Sequence, residues 1–78
     1  MKLSRHARNN MRLYKITEKD IMKTVESPDS SGREGGRLIA LREFKGRFSG
    51  YPLKVVYREA GGELTIITAY PLKKKHWR

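Results

Sequence analysis

Two adjacent glycines, Gly61 and Gly62, separate two runs rich in Val, Ile, Thr and Tyr. A glycine pair between such runs is typical of a tight β-hairpin, because glycine readily adopts the positive φ angles of the turn. The two runs predict strands over about 52–59 and 63–70, and a similar run predicts a strand over about 37–44. These segments predict an antiparallel meander of three to four strands.

Two helical patterns come before the strands. Ser4 is a suitable N-cap, and an apolar residue every three or four positions after it predicts a helix over about 4–14. Thr17 and Asp20 have the spacing of a capping box, which predicts a second helix over about 17–26. The predicted class is therefore α+β, with two N-terminal helices packed on one face of the sheet.

The length of 78 residues predicts a single domain over 1–78 with a small core. Residues 27–36, rich in Ser and Gly, are expected to form a mobile loop, and 72–78 a basic C-terminal tail. The chain has no cysteine, which excludes disulfides and Cys-based zinc sites and favours a cytoplasmic location.

No membrane partner, metal or other cofactor is expected. No apolar run approaches the roughly 18 residues that span a bilayer. The two histidines, His6 and His76, have no second ligand at metal-binding spacing, and no P-loop pattern is present.

The net charge of +10, from 18 Lys and Arg against 8 Asp and Glu, lies mainly at the two ends of the chain. Residues 1–15 hold five bases and no acid, and residues 73–78 hold four bases and no acid. This distribution favours a polyanion as partner, RNA or DNA before a membrane surface. Improved solubility, or a pair of basic tails, is the structural alternative.

Several residues are candidates for nucleic-acid contact. Helical spacing places three arginines on one side of the first helix, Lys54 and Arg58 share a face of a strand, and Thr68 and Tyr70 are expected to share a face with Ile66. A solvated helix face, the wet side of a sheet and a frayed terminus are the alternatives. The predicted nucleic-acid-binding residues are Arg5, Arg8, Lys15, Lys54, Thr68, Lys73, Lys74, Lys75 and Trp77.

Two segments together resemble a known family. They are Ser4-x-His6-Ala7-x-x-x-Met11 with Ile16-Thr17-x-x-Asp20-Ile21, and Val55-Val56-Tyr57 with Ile66-Ile67-Thr68-Ala69-Tyr70-Pro71. This order is similar to that of a family of small bacterial and archaeal proteins of unknown function. The family's usual pattern is His-Ala-x-x-Arg-Met-x-x-Arg-Gly-Ile, followed by Val-Val-Thr-Val-Tyr. The family has been grouped with the barnase, EndoU, colicin and RelE-like ribonuclease fold, which includes many toxins.

The resemblance implies a metal-independent endoribonuclease of toxin–antitoxin type, or an inactive relative. It implies catalytic roles for His6, Arg12, Arg58 and Tyr70, with an RNA substrate and an acidic antitoxin protein as partner. RNA transesterification suits such residues because it needs only a proton-transfer group and cations, while the 2′-hydroxyl supplies the nucleophile.

The chain departs from the family pattern at three positions. Asn10 and Tyr14 stand where the pattern has arginine, and Lys15 stands where it has glycine. These departures favour the alternative of a non-catalytic module that binds RNA or an acidic protein on the same fold. A structural subunit whose charge serves assembly is the third reading.

Overall fold

A computed structural model describes residues 1–73, in which a two-residue strand and two helices come before four further strands in an α+β arrangement. The elements in chain order are β1 (Lys2–Leu3), α1 (Arg5–Tyr14), α2 (Glu18–Glu26), β2 (Ser30–Glu34), β3 (Arg37–Arg42), β4 (Leu53–Ala60) and β5 (Glu63–Pro71). A short 3₁₀ turn, Phe48–Gly50, lies between β3 and β4.

The five strands form one mixed sheet in the order β1-β5-β4-β3-β2. Neighbouring strands are antiparallel except β1, which pairs in parallel with β5. The α+β class is as predicted, but the purely antiparallel meander of three to four strands is wrong. The added strands, one at each edge, have few of the β-branched and aromatic residues that mark a strand in a sequence.

The segment 27–36, expected to be a mobile loop, contains β2 and a turn. Gly35 and Gly36 have φ angles of 53° and 81°, which suit the two-residue turn between β2 and β3. Four of the five residues of β2 are exposed, so the strand needs no apolar pattern. Turn geometry and pairing with β3, rather than burial, hold this strand in place.

Side-chain caps fix the start of each helix. The Ser4 hydroxyl accepts a hydrogen bond from the Ala7 N–H at 3.0 Å. Asp20 accepts one from the Thr17 N–H at 2.9 Å, and the Thr17 hydroxyl accepts one from the Asp20 N–H at 3.1 Å. This reciprocal pair is the capping box predicted from the sequence.

Both helices pack on the same face of the sheet. The core cluster joins Ala7, Ile16 and Ile21 from the helical half to residues of β4 and β5. All are 4% exposed or less, and the strand members are Leu53, Val55, Ile66 and Ala69. Because side chains alternate along a strand, Lys54 and Val56 point to the other sheet face. We call this side, which carries neither α-helix, the open face.

A β-bulge in β5 changes which residues lie on the open face. Tyr57 pairs with Ile66, but the next residue back, Val56, pairs with Thr68, so Ile67 is an additional residue on β5. The expectation that Thr68 and Tyr70 share a face with Ile66 is therefore wrong. The bulge keeps Ile66 in the core and moves Thr68 and Tyr70 onto the open face, while Ala69 between them stays in the core.

An ion pair ties the loop before β4 to α2. The Arg47 guanidinium donates hydrogen bonds to both carboxylate oxygens of Asp20, at 2.5 and 2.7 Å. Burial by itself raises the pKa of Asp20, but the hydrogen bonds from Arg47 and Thr17 outweigh it and lower that pKa below its ordinary value. Arg47 also lies over the ring of Phe48, 4.7 Å from its centroid, which fixes the loop further.

Candidate nucleic-acid interface

The start of α1 is bonded directly to β5. β1 pairs with β5 only at Thr65 and Ile66. Beyond these two residues, Ser4 at the start of α1 bonds to the same side of β5. The Ser4 N–H donates to the Ile66 carbonyl at 3.0 Å, and the Ser4 hydroxyl donates to the Ile67 carbonyl at 2.6 Å. One serine therefore caps the helix and positions it against the bulge.

A second hydrogen bond links the middle of α1 to the same strand. The Asn10 side-chain amide donates to the Thr68 hydroxyl at 3.1 Å, and both residues are half-buried. Thr68 is the first open-face residue after the bulge. The Asn10–Thr68 pair therefore connects the helical layer to the open face.

Beside this pair lies a contact between a cation and an aromatic ring. Lys54 on β4 pairs with Tyr70 on β5, and its Nζ lies 5.7 Å from the centre of the tyrosine ring. Tyr70 follows Thr68 by two residues, a rise of about 6.8 Å along the strand on the same face. We define Asn10, Lys54, Thr68 and Tyr70 as the open-face site.

His6 flanks the open-face site on α1. It lies one helical turn before Asn10, and residues at this spacing have Cβ atoms about 5–6 Å apart on one side of a helix. Its side chain is exposed, and it makes no side-chain hydrogen bond or ion pair within residues 1–73. An imidazole in this position can reach a ligand that contacts Asn10.

The arginines of α1 do not join the open-face site. Arg5, Arg8 and Arg12 are all exposed, on the side of the helix away from the buried Ala7. Residues two positions apart on a helix differ in direction by about 200°, so Arg12 points almost opposite to Asn10. The structure therefore separates Arg12 from Tyr70, although the resemblance implies catalytic roles for both.

The other predicted site residues lie elsewhere on the described chain or outside it. Arg58 is exposed on the same face of β4 as Lys54, four residues farther along the strand. Lys15 ends α1, and Lys73 is exposed after β5. The predicted contacts Lys74, Lys75 and Trp77 lie outside the described residues.

The sequence prediction missed Asn10 as a site residue, because Asn10 stood out only as a lost arginine. Its position at the border between the apolar and polar sides of the helix was a usable signal.

The structure also explains the position of Lys15, which stands where the family pattern has glycine. Lys15 has a φ of 57°, the left-handed conformation that favours the glycine of the family pattern.

The ion pairs found within the described chain do not involve the open-face site. The ion pairs found within residues 1–73 are Arg47–Asp20 and the N-terminal amine with Glu63. Over the same range, no three His, Asp or Glu side chains gather at metal-binding distance. No helix in this part of the chain is long and apolar enough to cross a membrane.

The chain was compared with protein families, curated proteins and solved structures. Neither the curated proteins nor the solved structures gave a match. A family model described as a domain of unknown function, DUF4258, matches residues 3–71, which include α1, the bulge and the whole open-face site. On the strength of that match, this chain belongs to the DUF4258 family.

Proposed function

We propose that this protein binds RNA across the open-face site. The observation that carries the proposal is the contact of Lys54 with the Tyr70 ring on a sheet face that carries neither α-helix. An aromatic ring stacks on a nucleobase, and an adjacent ammonium group binds the phosphate that follows it. Such a pair recognises a single strand, whose bases are accessible, rather than a closed duplex.

The Asn10–Thr68 pair supplies the polar part of the surface. An amide and a hydroxyl together offer donors and acceptors to a sugar or a base edge, and the RNA 2′-hydroxyl is such a partner. The two groups are joined at 3.1 Å and held by both layers of the fold, so they present a fixed pattern.

The charge of the first helix supports the same proposal. Arg5, Arg8 and Arg12 give α1 an exposed positive side, and no acid lies within residues 1–15 to offset it. Such a field attracts a polyanion from a distance and raises its rate of association. In our proposal these arginines steer RNA, while the open-face site makes the short-range contacts.

Binding of a labelled single-stranded RNA, measured by fluorescence anisotropy in EDTA, tests the proposal. Tyr70→Leu should weaken binding about tenfold, because the stacking of one base contributes about 1–3 kcal/mol. Lys54→Gln should lower the slope of log affinity against log salt by about 0.7, the value for one phosphate contact on a single strand.

Matched controls are available on other surfaces. Tyr51→Leu removes an exposed tyrosine from the loop before β4, and Lys19→Gln removes an exposed lysine from α2. The proposal predicts that the Tyr51 variant keeps wild-type affinity and that the Lys19 variant keeps the salt slope. Equal losses in test and control variants, or no RNA binding by the wild-type protein, would refute it.

Cleavage of the bound RNA is the second candidate function, and the position of His6 favours it. An exposed imidazole one turn from Asn10 can take the proton of a 2′-hydroxyl. The 2′-oxygen then attacks phosphorus, the bond to the 5′-oxygen breaks, and that oxygen takes a proton from water. The hydroxide that is left takes the proton held by the imidazole, which restores neutral His6. The products are a 2′,3′-cyclic phosphate and a 5′-hydroxyl, while Lys54 balances the charge that develops on the phosphate.

Gel analysis of RNA incubated in EDTA tests the cleavage step separately from binding. We expect His6→Ala to lower the cleavage rate at least 100-fold, the lower end of general acid–base contributions, with RNA affinity retained. Asn10→Arg, which restores the arginine of the family pattern beside Thr68, should raise that rate. Unchanged cleavage by His6→Ala, or RNA binding by the wild type without cleavage, would reject this second function.

A further inference from the structure

The strand β2 forms an open edge of the sheet. Within residues 1–73 it pairs only with β3, and every residue from Ser31 to Glu34 is exposed. We call the opposite edge closed, because there β1 is only two residues long and, with the Ser4 hydrogen bonds, covers β5 at Thr65, Ile66 and Ile67. An unpaired edge of this kind presents backbone groups to another strand.

The turn that follows β2 determines which backbone groups point outwards. Gly35 and Gly36 form a two-residue turn closed by the pair Glu34–Arg37. In such a hairpin the closing pair is hydrogen-bonded, and the bonding direction alternates along the strand. The N–H and C=O groups of Ser31 and Arg33 therefore point away from β3.

β2 lacks two of the devices that protect natural sheet edges, although it is short and carries Arg33 and Glu34. It contains no proline, and its pairing with β3 runs without a bulge from Ser30 to Glu34. A Cβ atom added at Gly32 would meet nothing within 4 Å. The centre of this edge is therefore flat and accessible to a second backbone.

The charge around β2 differs from that of the whole molecule. Residues 26–43 hold three bases and four acids, whereas the chain as a whole carries +10. Two copies of a strongly basic protein repel one another over most of their surface. They can approach at this edge, where the local charge is nearly balanced.

We propose that β2 pairs antiparallel with β2 of a second copy of this chain, about a two-fold axis through Gly32. This register places Ser31 opposite Arg33 of the other copy, so the outward backbone groups of both residues meet in hydrogen-bonded pairs. Gly32 faces Gly32 at the axis, and no two like charges are directly opposite. Five residues per strand bury less than the roughly 1,200 Å² of a standard interface, so the dimer is weak.

Sedimentation equilibrium of the protein without RNA, up to about 1 mM, tests the pairing. Gly32 has an ordinary backbone conformation, so substitutions are tolerated there. Gly32→Asp and Gly32→Lys each place two like charges across the axis and should weaken the dimer at least tenfold. An equal mixture of the two variants should restore association, because each heterodimer then has opposite charges at the axis.

Gly32→Ser is the control and should dimerise like the wild type, and circular dichroism shows that each variant is folded. A wild-type protein that stays monomeric at 1 mM would overturn the proposal. Dimerisation of Gly32→Asp with wild-type affinity, or no recovery in the mixture, would overturn it as well. The result is independent of RNA binding, which uses a different surface.

Discussion

The two edges of the sheet differ in whether their backbone groups already have hydrogen-bond partners. At the β5 edge, the carbonyls of Ile66 and Ile67 already accept hydrogen bonds from Ser4, and Ile66 has no exposed surface. At the β2 edge, the backbone groups of Ser31 and Arg33 have no such partner within residues 1–73. At the closed edge these backbone groups are already bonded, so a partner can use only side chains there. At the open edge a partner strand can also pair with the backbone.

The largest expected effect contrasts two isoleucines on the two halves of the sheet. Ile66→Ala removes a fully buried side chain at the closed edge and should lower the free energy of unfolding by about 3 kcal/mol. Ile39→Ala, on β3 next to the open edge, should cost about 1 kcal/mol because Ile39 is only half-buried. Urea denaturation measures both values, and equal losses would remove the contrast.

Acid should weaken the packing of α2, because Asp20 stabilises this helix only while its carboxyl group is ionised. Asp20→Asn removes the carboxylate that caps α2 and binds Arg47, at a cost of about 2 kcal/mol at pH 7. Because the pKa of Asp20 is lowered on folding, its contribution is present above the unfolded-state pKa and is lost as pH falls through the folded-state value.

Thermal melts of wild type and Asp20→Asn from pH 7 to pH 2 measure this dependence. The gap in stability between the two proteins should be largest near neutral pH and should close at the acid end. A gap that is independent of pH would show that the Asp20 charge contributes nothing to stability.

Replacing a serine by alanine at each edge compares the two edges with the same chemical change, and its effect on stability is smaller than that of the substitutions above. Ser4→Ala removes the α1 cap and the bond to the Ile67 carbonyl and should cost about 1.5 kcal/mol. Ser31→Ala, on the exposed β2 edge, should change stability by less than about 0.5 kcal/mol. Comparable losses from the two variants in urea would contradict the assignment of one closed and one open edge.

The smallest effect tests the end of α1. Lys15→Gly replaces a residue with a φ of 57° by one that adopts this angle without strain. The change should raise the free energy of unfolding by about 0.5–1 kcal/mol, if the positive angle is kept. Lys15→Ala, which keeps the strain but removes the charge, is the control and should not be stabilised.

The helices and central strands were predictable because each has a local signal. Ser4, Thr17 and Asp20 mark helix starts through side-chain caps, and Gly61–Gly62 marks the turn between β4 and β5. The edge strands have no such signal, since β1 has two residues and β2 is nearly all exposed. Their pairing depends on where the neighbouring strands lie, which a local pattern does not contain.

The open-face site was predictable only in part. Lys54, Thr68 and Tyr70 were identified by residue type, but only the bulge at Ile67 brings all three side chains to the same face of the sheet. A register shift of one residue reverses every side chain beyond it, and nothing in the run of β-branched residues indicates where it occurs. Asn10 enters the site through a contact between residues 58 positions apart, which no local spacing predicts.

The most direct test of the central claim follows amide and side-chain NMR signals of the protein during titration with a short single-stranded RNA. We predict the largest shifts at the Asn10 side-chain amide and at the backbone of Lys54, Thr68 and Tyr70, with no change along β2. Large shifts confined to the outer side of α1 at Arg5, Arg8 and Arg12, with Thr68 and Tyr70 unchanged, would contradict the account.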